Sequence, residues 1–492
     1  MDLDVSNEID APKTSLLDID ETMTQKKEKK MKQRKVVRYS LLVAGIVLVA
    51  IVVIILIVVL GKKDNNDNND SGYLNVIKAK YIINDISAKT KIMNDLNDNV
   101  TIKLFINDKE EKNFEKNYQF EKEGEYSIEF KFNEELTNLT SLFMEIDSLK
   151  EMDLSGLKTN KVKSMDNLFK ECYSLEKAIL NNLDTSNLES TKSLFEGCYN
   201  LKELEMKNFN TKNVKNLSSM FRECYNITKI GIDSFDLTKA TDANRMFSAC
   251  YALEEISLKN DEIDSSIINM KSFFYQCHSL KKINLDNFKK KKLNELTNMF
   301  DECKELKSID FSKFDTSEIT SVDYLFSNCQ SLTSIDISTM NTNKVTYMSY
   351  TFRNCTSLQS IDTKYLNTDN IVTMSGTFFG CTSLESIDLD ITSYKVSDIK
   401  DLFNGCSNLT NVSLSVHQAN IADRVFKGCN SLQYVDLSNF NGSAIKSYVS
   451  DDFFPKIEDT IIKYNSSIIG NLKNRIPSTW TQIDINNQSM II

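Results

Sequence analysis

The sequence predicts a repeat solenoid built on a parallel β ladder with short helical or 3₁₀ turns, preceded by one transmembrane helix. Two patterns predict the solenoid. All eleven cysteines fall in one register, at successive spacings of 26, 26, 26, 27, 26, 26, 26, 26, 25 and 23 residues, and a phenylalanine stands three residues before each of them. A third pattern predicts the membrane helix, because residues 41–60 are twenty consecutive uncharged apolar residues. The cysteines are Cys172, Cys198, Cys224, Cys250, Cys277, Cys303, Cys329, Cys355, Cys381, Cys406 and Cys429.

The repeat also fixes where the array begins. Leu or Ile stands three residues after every cysteine. Phe143, Ile146 and Leu149 form the same pattern with isoleucine in the cysteine position, so an array of about twelve repeats occupies residues 136–440. One repeat alone cannot bury its apolar side, whereas stacked repeats share a continuous core.

A single repeat, residues 321–346, shows the expected local structure. Leu332, Ile335 and Ile337 alternate with polar residues at its centre, which is typical of a strand with one buried face. Apolar residues in the segment 345–355 then recur at three- and four-residue steps, which favours short helical or 3₁₀ turns. Stacking such units predicts a parallel ladder with a spacing of about 4.8 Å between strands.

The apolar run is long enough to cross a bilayer. At about 1.5 Å of rise per residue, twenty helical residues span roughly 30 Å, the thickness of the hydrocarbon core. We therefore predict a cytoplasmic tail at residues 1–38, a transmembrane helix at residues 39–61 and a linker at residues 62–73. A cleaved signal peptide fits badly, because the run is too long, begins forty residues into the chain and lacks a cleavage site.

The charges beside this run predict its orientation. The tail carries eight basic residues in its last thirteen positions, whereas the linker carries two. The positive-inside rule then places the N-terminus in the cytoplasm and the C-terminal ectodomain outside. The predicted localisation is the cell membrane, with a single span and type II topology.

The open ends of a solenoid expose apolar core and unpaired strand edges, so we expect a cap at each end. Residues 74–135 alternate repeatedly between polar and apolar side chains and predict a small β-rich domain or N-terminal cap. The repeat fades in residues 441–492, which we predict to form a C-terminal cap with the single tryptophan, Trp480, in its core.

The repeat resembles that of a known family. The pattern FxxCxxLxxIDLSxFDTSxVTxM, carried by residues 300–322 and 352–374, resembles the BspA-like leucine-rich-repeat surface proteins, especially the subtype of about 26 residues found in mycoplasmas, other bacteria and protists. The resemblance covers about residues 136–440. It implies a leucine-rich-repeat-like solenoid, display at the cell surface, and adhesion to or recognition of other cells. The N-terminal span differs from members that are anchored by a lipid, a wall-sorting signal or a C-terminal span.

Composition and motifs argue against several classes of function. The net charge of −10 opposes binding to nucleic acid by phosphate neutralisation. No glycine-rich phosphate loop, metalloprotease signature or nucleophile elbow occurs, so we expect neither enzymatic activity nor a cofactor. A period of 26 residues supplies no clustered set of ligands for a metal.

A column of cysteines outside the cell suggests disulfides, because adjacent turns would place their Cα atoms about 5 Å apart. The odd number, the parallel Cβ vectors and Ile146 in the first repeat instead favour buried thiols that pack as small hydrophobic side chains. His278 follows Cys277, but its position varies between repeats. We expect it to be exposed rather than part of a catalytic pair.

One column of acidic residues is a candidate ligand-binding site. Like charges on neighbouring strands are unfavourable, so such a column would attract a cationic or hydrogen-bonding partner. The alternative is a solvated row whose repulsion is relieved by salt and by neighbouring lysines. The four residues are Asp310, Asp336, Asp362 and Asp388.

Glycosylation is a further prediction if the source is eukaryotic, because an external domain would expose its N-x-S/T sequons. In a chain so rich in asparagine, many such matches arise by chance. The candidate acceptors are Asn99, Asn138, Asn216, Asn226, Asn441 and Asn465.

We therefore predict a membrane-anchored surface protein that displays its solenoid to a protein or glycan partner on another cell or matrix. Two alternatives stay open. The first is a structural coat or scaffold component without a specific ligand. The second is an enzyme that acts outside the cell.

Overall fold

The structure is a computed structural model that describes residues 75–96, 100–230, 235–259, 267–286, 289–445, 452–486 and 489–491. The predicted tail, transmembrane helix and linker lie outside these residues. Within the described ranges, no helix has the length and apolar character needed to cross a membrane.

The fold is a parallel β-solenoid of about twelve turns with little helix. A seven-stranded sheet opens it, in the order β4-β3-β6-β1-β7-β8-β9. The strands before the repeats pair antiparallel, and β7 begins the parallel ladder. The strands of this sheet are β1 Asn75–Ile83, β3 Ile102–Ile106, β4 Lys109–Glu110, β6 Gly124–Phe132, β7 Leu149–Gly156, β8 Lys177–Ile179 and β9 Glu203–Glu205. Two further strands, β2 Thr90–Lys91 and β5 Asn117–Tyr118, form a separate antiparallel pair.

The middle turns carry short strands in small parallel sheets. A six-stranded sheet closes the solenoid, and all its pairs are parallel except the last. The parallel ladder therefore continues into residues 441–492. The strands are β10 Glu255–Ser257, β11 Ile267–Asn269, β12 Lys282–Asn284, β13 Lys291–Glu295, β14 Phe314–Asp315, β15 Ser386–Ile391, β16 Asn411–Val416, β17 Tyr434–Leu437, β18 Ile461–Tyr464, β19 Thr481–Asp484 and β20 Ser489–Ile491.

The ladder is interrupted in the middle of the solenoid. Residues 316–385 are all described and none belongs to a strand. Two 3₁₀ helices, η1 Phe311–Lys313 and η2 Thr363–Tyr365, occupy positions where β15 is extended; a third, η3 Gly470–Arg475, lies near the C-terminus. The prediction of a strand around Ile335 is therefore wrong, because these residues form no strand hydrogen bonds. The expected alternation of buried and exposed side chains is nevertheless present.

A second backbone ladder runs through the turn before each cysteine. In one turn, the N–H groups of Asn167, Phe169 and Glu171 donate to carbonyls of the next turn at 2.9, 2.9 and 2.6 Å. The N–H groups between them donate to carbonyls three residues earlier in the same turn. This alternation requires a left-handed backbone at two positions per turn, with φ of 56° at Asn167 and 59° at Glu171.

Because these N–H groups all point forward, the first turn presents carbonyls that no earlier turn can satisfy. The N-terminal segment satisfies them. Asn94 donates its backbone N–H to Leu142 at 2.8 Å and its Nδ2 to Met144 at 2.8 Å, and Lys91 Nζ reaches the Met144 carbonyl at 3.2 Å. Residues 75–132 thus complete the ladder as well as covering the core.

At the other end, Trp480 closes the core. It is 2% exposed, packs edge-on against Phe454 at 5.2 Å and donates its Nε1 to the Ile457 carbonyl at 2.9 Å. Phe454 in turn stacks on Phe426. The tryptophan belongs to the core, as the sequence predicts.

The core is organised in columns along the solenoid axis. Phenylalanines of successive turns stack nearly parallel from Phe143 to Phe426, with ring centroids 5.3–6.0 Å apart and interplanar angles of 5–17°. Each is nearly or completely buried. The repeat spacing of the sequence therefore becomes an unbroken aromatic stack.

The cysteines form a second column, and all eleven are buried thiols, as predicted. Each Sγ donates a hydrogen bond to the carbonyl of the phenylalanine in the preceding turn, with Sγ···O distances of 2.9–3.3 Å. Burial raises the pKa of every one of these thiols, to about 12 for Cys172. The donated proton is therefore retained at neutral pH.

We predict that a thiol reagent will modify none of the eleven cysteines of the native protein at pH 8 and all eleven in denaturant. A buried thiol with a raised pKa stabilises the folded state fully below its unfolded pKa of about 8.5, and this stabilisation is lost as the pH rises through the folded pKa. Unfolding should therefore set in above about pH 9. Stoichiometric labelling of any native cysteine at neutral pH would contradict the buried column.

Candidate interaction surface on the outward face of the sheet

The outward face of the solenoid sheet has two halves with different electrostatics. In the N-terminal half, the position five residues after the cysteine alternates in sign from turn to turn. Lys177 Nζ lies 3.0 Å from Glu203, and Lys229 Nζ lies 2.9 Å from Glu255, whose pKa is lowered by the hydrogen bond from that lysine. The alternating residues are Glu151, Lys177, Glu203, Lys229, Glu255 and Lys282.

The next four turns place serine at this position and aspartate two residues later. All four predicted site residues, Asp310, Asp336, Asp362 and Asp388, are exposed. Cross-strand ion pairs of the kind seen in the N-terminal half are absent from these four positions in the described structure. The acidic column is thus uncompensated by the neighbouring turns.

Two of these aspartates have a structural task. Asp310 accepts a hydrogen bond from the Ser312 N–H at 2.8 Å, and Asp336 accepts one from the Ser338 N–H at 2.9 Å. These hydrogen bonds lower the pKa of both carboxyl groups, while the neighbouring Asp336 carboxylate raises that of Asp310. Asp310 is also the N-cap of η1.

The structure brings the other two together. Asp362 caps η2 through the Lys364 N–H at 3.3 Å and forms an ion pair with the Lys364 ammonium group. Asp388 lies on β15, and its side chain accepts no hydrogen bond from any described residue. Both line one open cleft of about 730 Å³ beside β15. The ion pair between Asp362 and Lys364 agrees with the second interpretation of the acidic column, in which neighbouring lysines relieve the repulsion between carboxylates.

Sequence reasoning missed further members of this cleft. Asp390 follows Asp388 on the same outward face of β15, and Asp369 accepts a hydrogen bond from the Thr392 hydroxyl at 2.5 Å. Tyr365, 48% exposed, lines the same cleft. The signal in the sequence was weak, because these residues occupy different positions of the repeat.

A half-buried aromatic stack directly follows the cysteine column in the sequence of each of five turns. The residues that directly follow five successive cysteines stack with centroids 4.6–4.8 Å apart. The last member is His278, which is half-buried rather than exposed as predicted, and its Nε2 lies 3.2 Å from Glu302 Oε2. The stack consists of Tyr173, Tyr199, Tyr225, Tyr251 and His278.

Four of the six predicted glycosylation sequons form turns of the solenoid. In each, the asparagine Oδ1 accepts the N–H of the serine or threonine two residues later, at 2.9–3.1 Å. This Asx-type turn gives the N-x-S/T pattern a structural reason. The four are Asn138, Asn216, Asn441 and Asn465.

The remaining two sequons differ from these. Asn226 is exposed, and its Nδ2 donates to the Tyr199 carbonyl at 2.9 Å. Asn99 lies outside the described residues. Glycosylation at any of the six stays a prediction.

The described residues contain no group of three or more His, Cys, Asp and Glu side chains that could hold a metal ion.

The fold, the cysteine and phenylalanine columns and the polar sheet face define a leucine-rich-repeat protein. The chain belongs to the family described as "Mycoplasma protein of unknown function, DUF285", which matches residues 136–260 and 268–390. A second family, described as "BspA type Leucine rich repeat region (6 copies)", matches residues 372–472 and confirms the resemblance read from the sequence.

Solved leucine-rich-repeat proteins match this chain at low similarity. One from Bacteroides ovatus is 21% identical, with 70% of this chain and 89% of that chain covered and a TM-score of 0.34. One from T. pallidum is 20% identical, with 47% and 83% covered and a TM-score of 0.23. One from Eubacterium ventriosum is 17% identical, with 64% and 75% covered and a TM-score of 0.24. No curated protein sequence matches this chain. The family is thus one of leucine-rich-repeat proteins, which supports a recognition or surface role.

The hydrogen bonds predict different effects for two aspartates of the column. Asp310→Ala removes the cap of η1 and should lower the free energy of unfolding by at most about 1 kcal/mol, discounted for exposure. Asp388→Ala removes no hydrogen bond within the described chain and should change it by less than about 0.5 kcal/mol. Urea denaturation at pH 7 measures both.

The pH dependence follows from the lowered pKa of Asp310. The stabilisation of the folded state by the Asp310 carboxylate is present above the unfolded pKa of about 3.9 and is lost as the pH falls through the folded pKa. The difference between Asp310→Ala and the unmodified chain should therefore vanish in strong acid. If both variants lost the same free energy of unfolding at pH 7, the stabilisation assigned to the cap of η1 would be contradicted.

Proposed function

We propose that this chain is a single-pass, membrane-anchored surface protein whose solenoid recognises a macromolecular partner on another cell or matrix. The observation that carries this proposal is the unequal sheet face. Its N-terminal half neutralises itself from turn to turn, whereas Asp310, Asp336, Asp362 and Asp388 stand exposed without such pairing. Their exposed carboxylates, and above all that of Asp388, which caps no N–H group, are available for binding.

Membrane anchoring is supported by the apolar run at residues 41–60 and by the basic residues before it. The family and fold support a recognition or surface role but name no ligand. A coat or scaffold protein without a specific partner is the alternative. In that case the acidic half would serve only solubility.

Binding of the full-length protein to immobilised matrix proteins and glycans should be saturable and should depend on the acidic half. Asp336→Asn combined with Asp388→Asn should weaken it by about tenfold, the effect of losing roughly 1.4 kcal/mol. Glu203→Gln combined with Glu255→Gln changes the net charge equally in the neutralised half and is the matched control. If both double variants lost the same binding affinity, the effect would come from net charge and not from the acidic half. If no saturable binding were found, the coat-protein alternative would be favoured.

The topology is tested separately by protease treatment of intact cells that produce the chain with tags at both ends. The C-terminal tag should be removed and the N-terminal tag protected, because the positive-inside rule places residues 1–38 in the cytoplasm. Detergent permeabilisation, as the control, should expose both tags. Protection of both tags on intact cells would overturn the external placement of the solenoid.

A further inference from the structure

The cleft between η2 and β15 has a composition that selects a particular chemistry. It forms because the turn that contains η2 leaves the strand ladder while β15 resumes it. The hydroxyl of Thr363 bonds the Asp388 carbonyl, and that of Thr368 bonds the Asp390 carbonyl at 2.9 Å, so side chains bridge the two turns there. The opening between them has a volume of about 730 Å³.

The cleft is rich in carboxylates that lack a counter-ion. Asp369, Asp388 and Asp390 all line it, and none forms an ion pair with a described residue. Asp388 and Asp390 lie two residues apart on the outward face of one strand, about 6.6 Å along it. Their mutual repulsion is relieved by a cation at either carboxylate.

One basic side chain of the protein already lies in the cleft and shows which kind of cation the cleft can hold. This observation does not depend on how many acidic residues line the cleft. The ammonium group of Lys364 lies 4.6 Å from the centre of the Tyr365 ring and pairs with Asp362. An aromatic ring and a carboxylate of the cleft thus already hold a basic side chain between them. Tyr365 remains 48% exposed and stacks on no other described ring, so ring surface is left for a second cation.

We propose that the cleft binds an extended protein segment with two arginine side chains two residues apart, which pair with Asp388 and Asp390 while one guanidinium stacks on Tyr365. This rests on the proposed function and names the partner chemistry. Successive outward side chains of an extended segment repeat at about 6.6 Å, the same interval as the two aspartates. Arginine is favoured over lysine because its planar group binds carboxylates bidentately and stacks on aromatic rings.

Other occupants fit less well. A neutral sugar would leave three carboxylates without a counter-ion, and an acidic sugar would be repelled. A second copy of this chain, with its net charge of −10, would also be repelled on average. The basic segment is the occupant that both the charge and the exposed ring favour.

The test uses the full-length protein and a fluorescent peptide, Gly-Ser-Arg-Ser-Arg-Ser-Gly, measured by anisotropy at low and physiological salt. Asp388→Asn combined with Asp390→Asn should weaken binding about tenfold, the loss of roughly 1.4 kcal/mol. Glu203→Gln combined with Glu255→Gln, the charge-matched control, should change it less than about twofold. Tyr365→Ala should remove the preference for this peptide over its lysine analogue, and Tyr365→Phe should keep it.

The alternatives give distinct results. Equal weakening by the two double variants, or an unchanged arginine preference in Tyr365→Ala, would overturn the cleft as the site. Binding of a neutral hexose oligomer in place of the peptide would assign the cleft to a glycan. If the full chain binds cells or matrix but not the peptide, the proposed function stands and this inference fails. If it binds the peptide through Asp388 and Asp390 but no cell or matrix partner, the proposed function fails and the cleft chemistry stands.

Discussion

The forward-pointing backbone ladder before each cysteine is the constraint on which the rest of the structure depends. In most turns four N–H groups bond to the next turn, and the direction of this ladder is the same in every turn that forms it. The ladder fixes the separation of successive turns and requires a left-handed backbone at two positions in each. Most of these positions hold residues other than glycine, which costs free energy at each one. The inter-turn hydrogen bonds and the packed core must offset that cost.

The same direction explains the cysteine column. Each thiol donates backward to a phenylalanine carbonyl, so the cysteine needs a preceding turn. Ile146 occupies the cysteine position in the first turn, which has no preceding repeat to supply the phenylalanine carbonyl. A side chain that is small, apolar and able to donate one hydrogen bond fits every later turn. The cysteines are therefore explained by packing and hydrogen bonding, without disulfide or catalytic chemistry.

Much of the fold could be predicted from the sequence, because periodicity and burial are linked directly. The spacing of Phe and Cys predicts the turns, and the alternation in each repeat predicts the buried face. The interruption of the sheet could not be predicted, since equivalent repeat positions form 3₁₀ helices capped by Asp310 and Asp362 in two turns and a strand in β15. The column of aspartates was visible in the sequence, but Asp369, Asp390 and Tyr365 share no repeat position with it. Only the folded turns bring them to one cleft.

The acidic column shows how the fold distributes unfavourable charge. Turns only about 5 Å apart bring like charges close together, so a column of carboxylates must be relieved. The N-terminal half does this by alternating sign, and Asp310, Asp336 and Asp362 do it by capping the N–H two residues later. In β15 the Asp388 side chain accepts no such hydrogen bond from the N–H two residues later. The unrelieved charge therefore concentrates where the 3₁₀ turn meets the resumed strand, at the cleft that holds Tyr365.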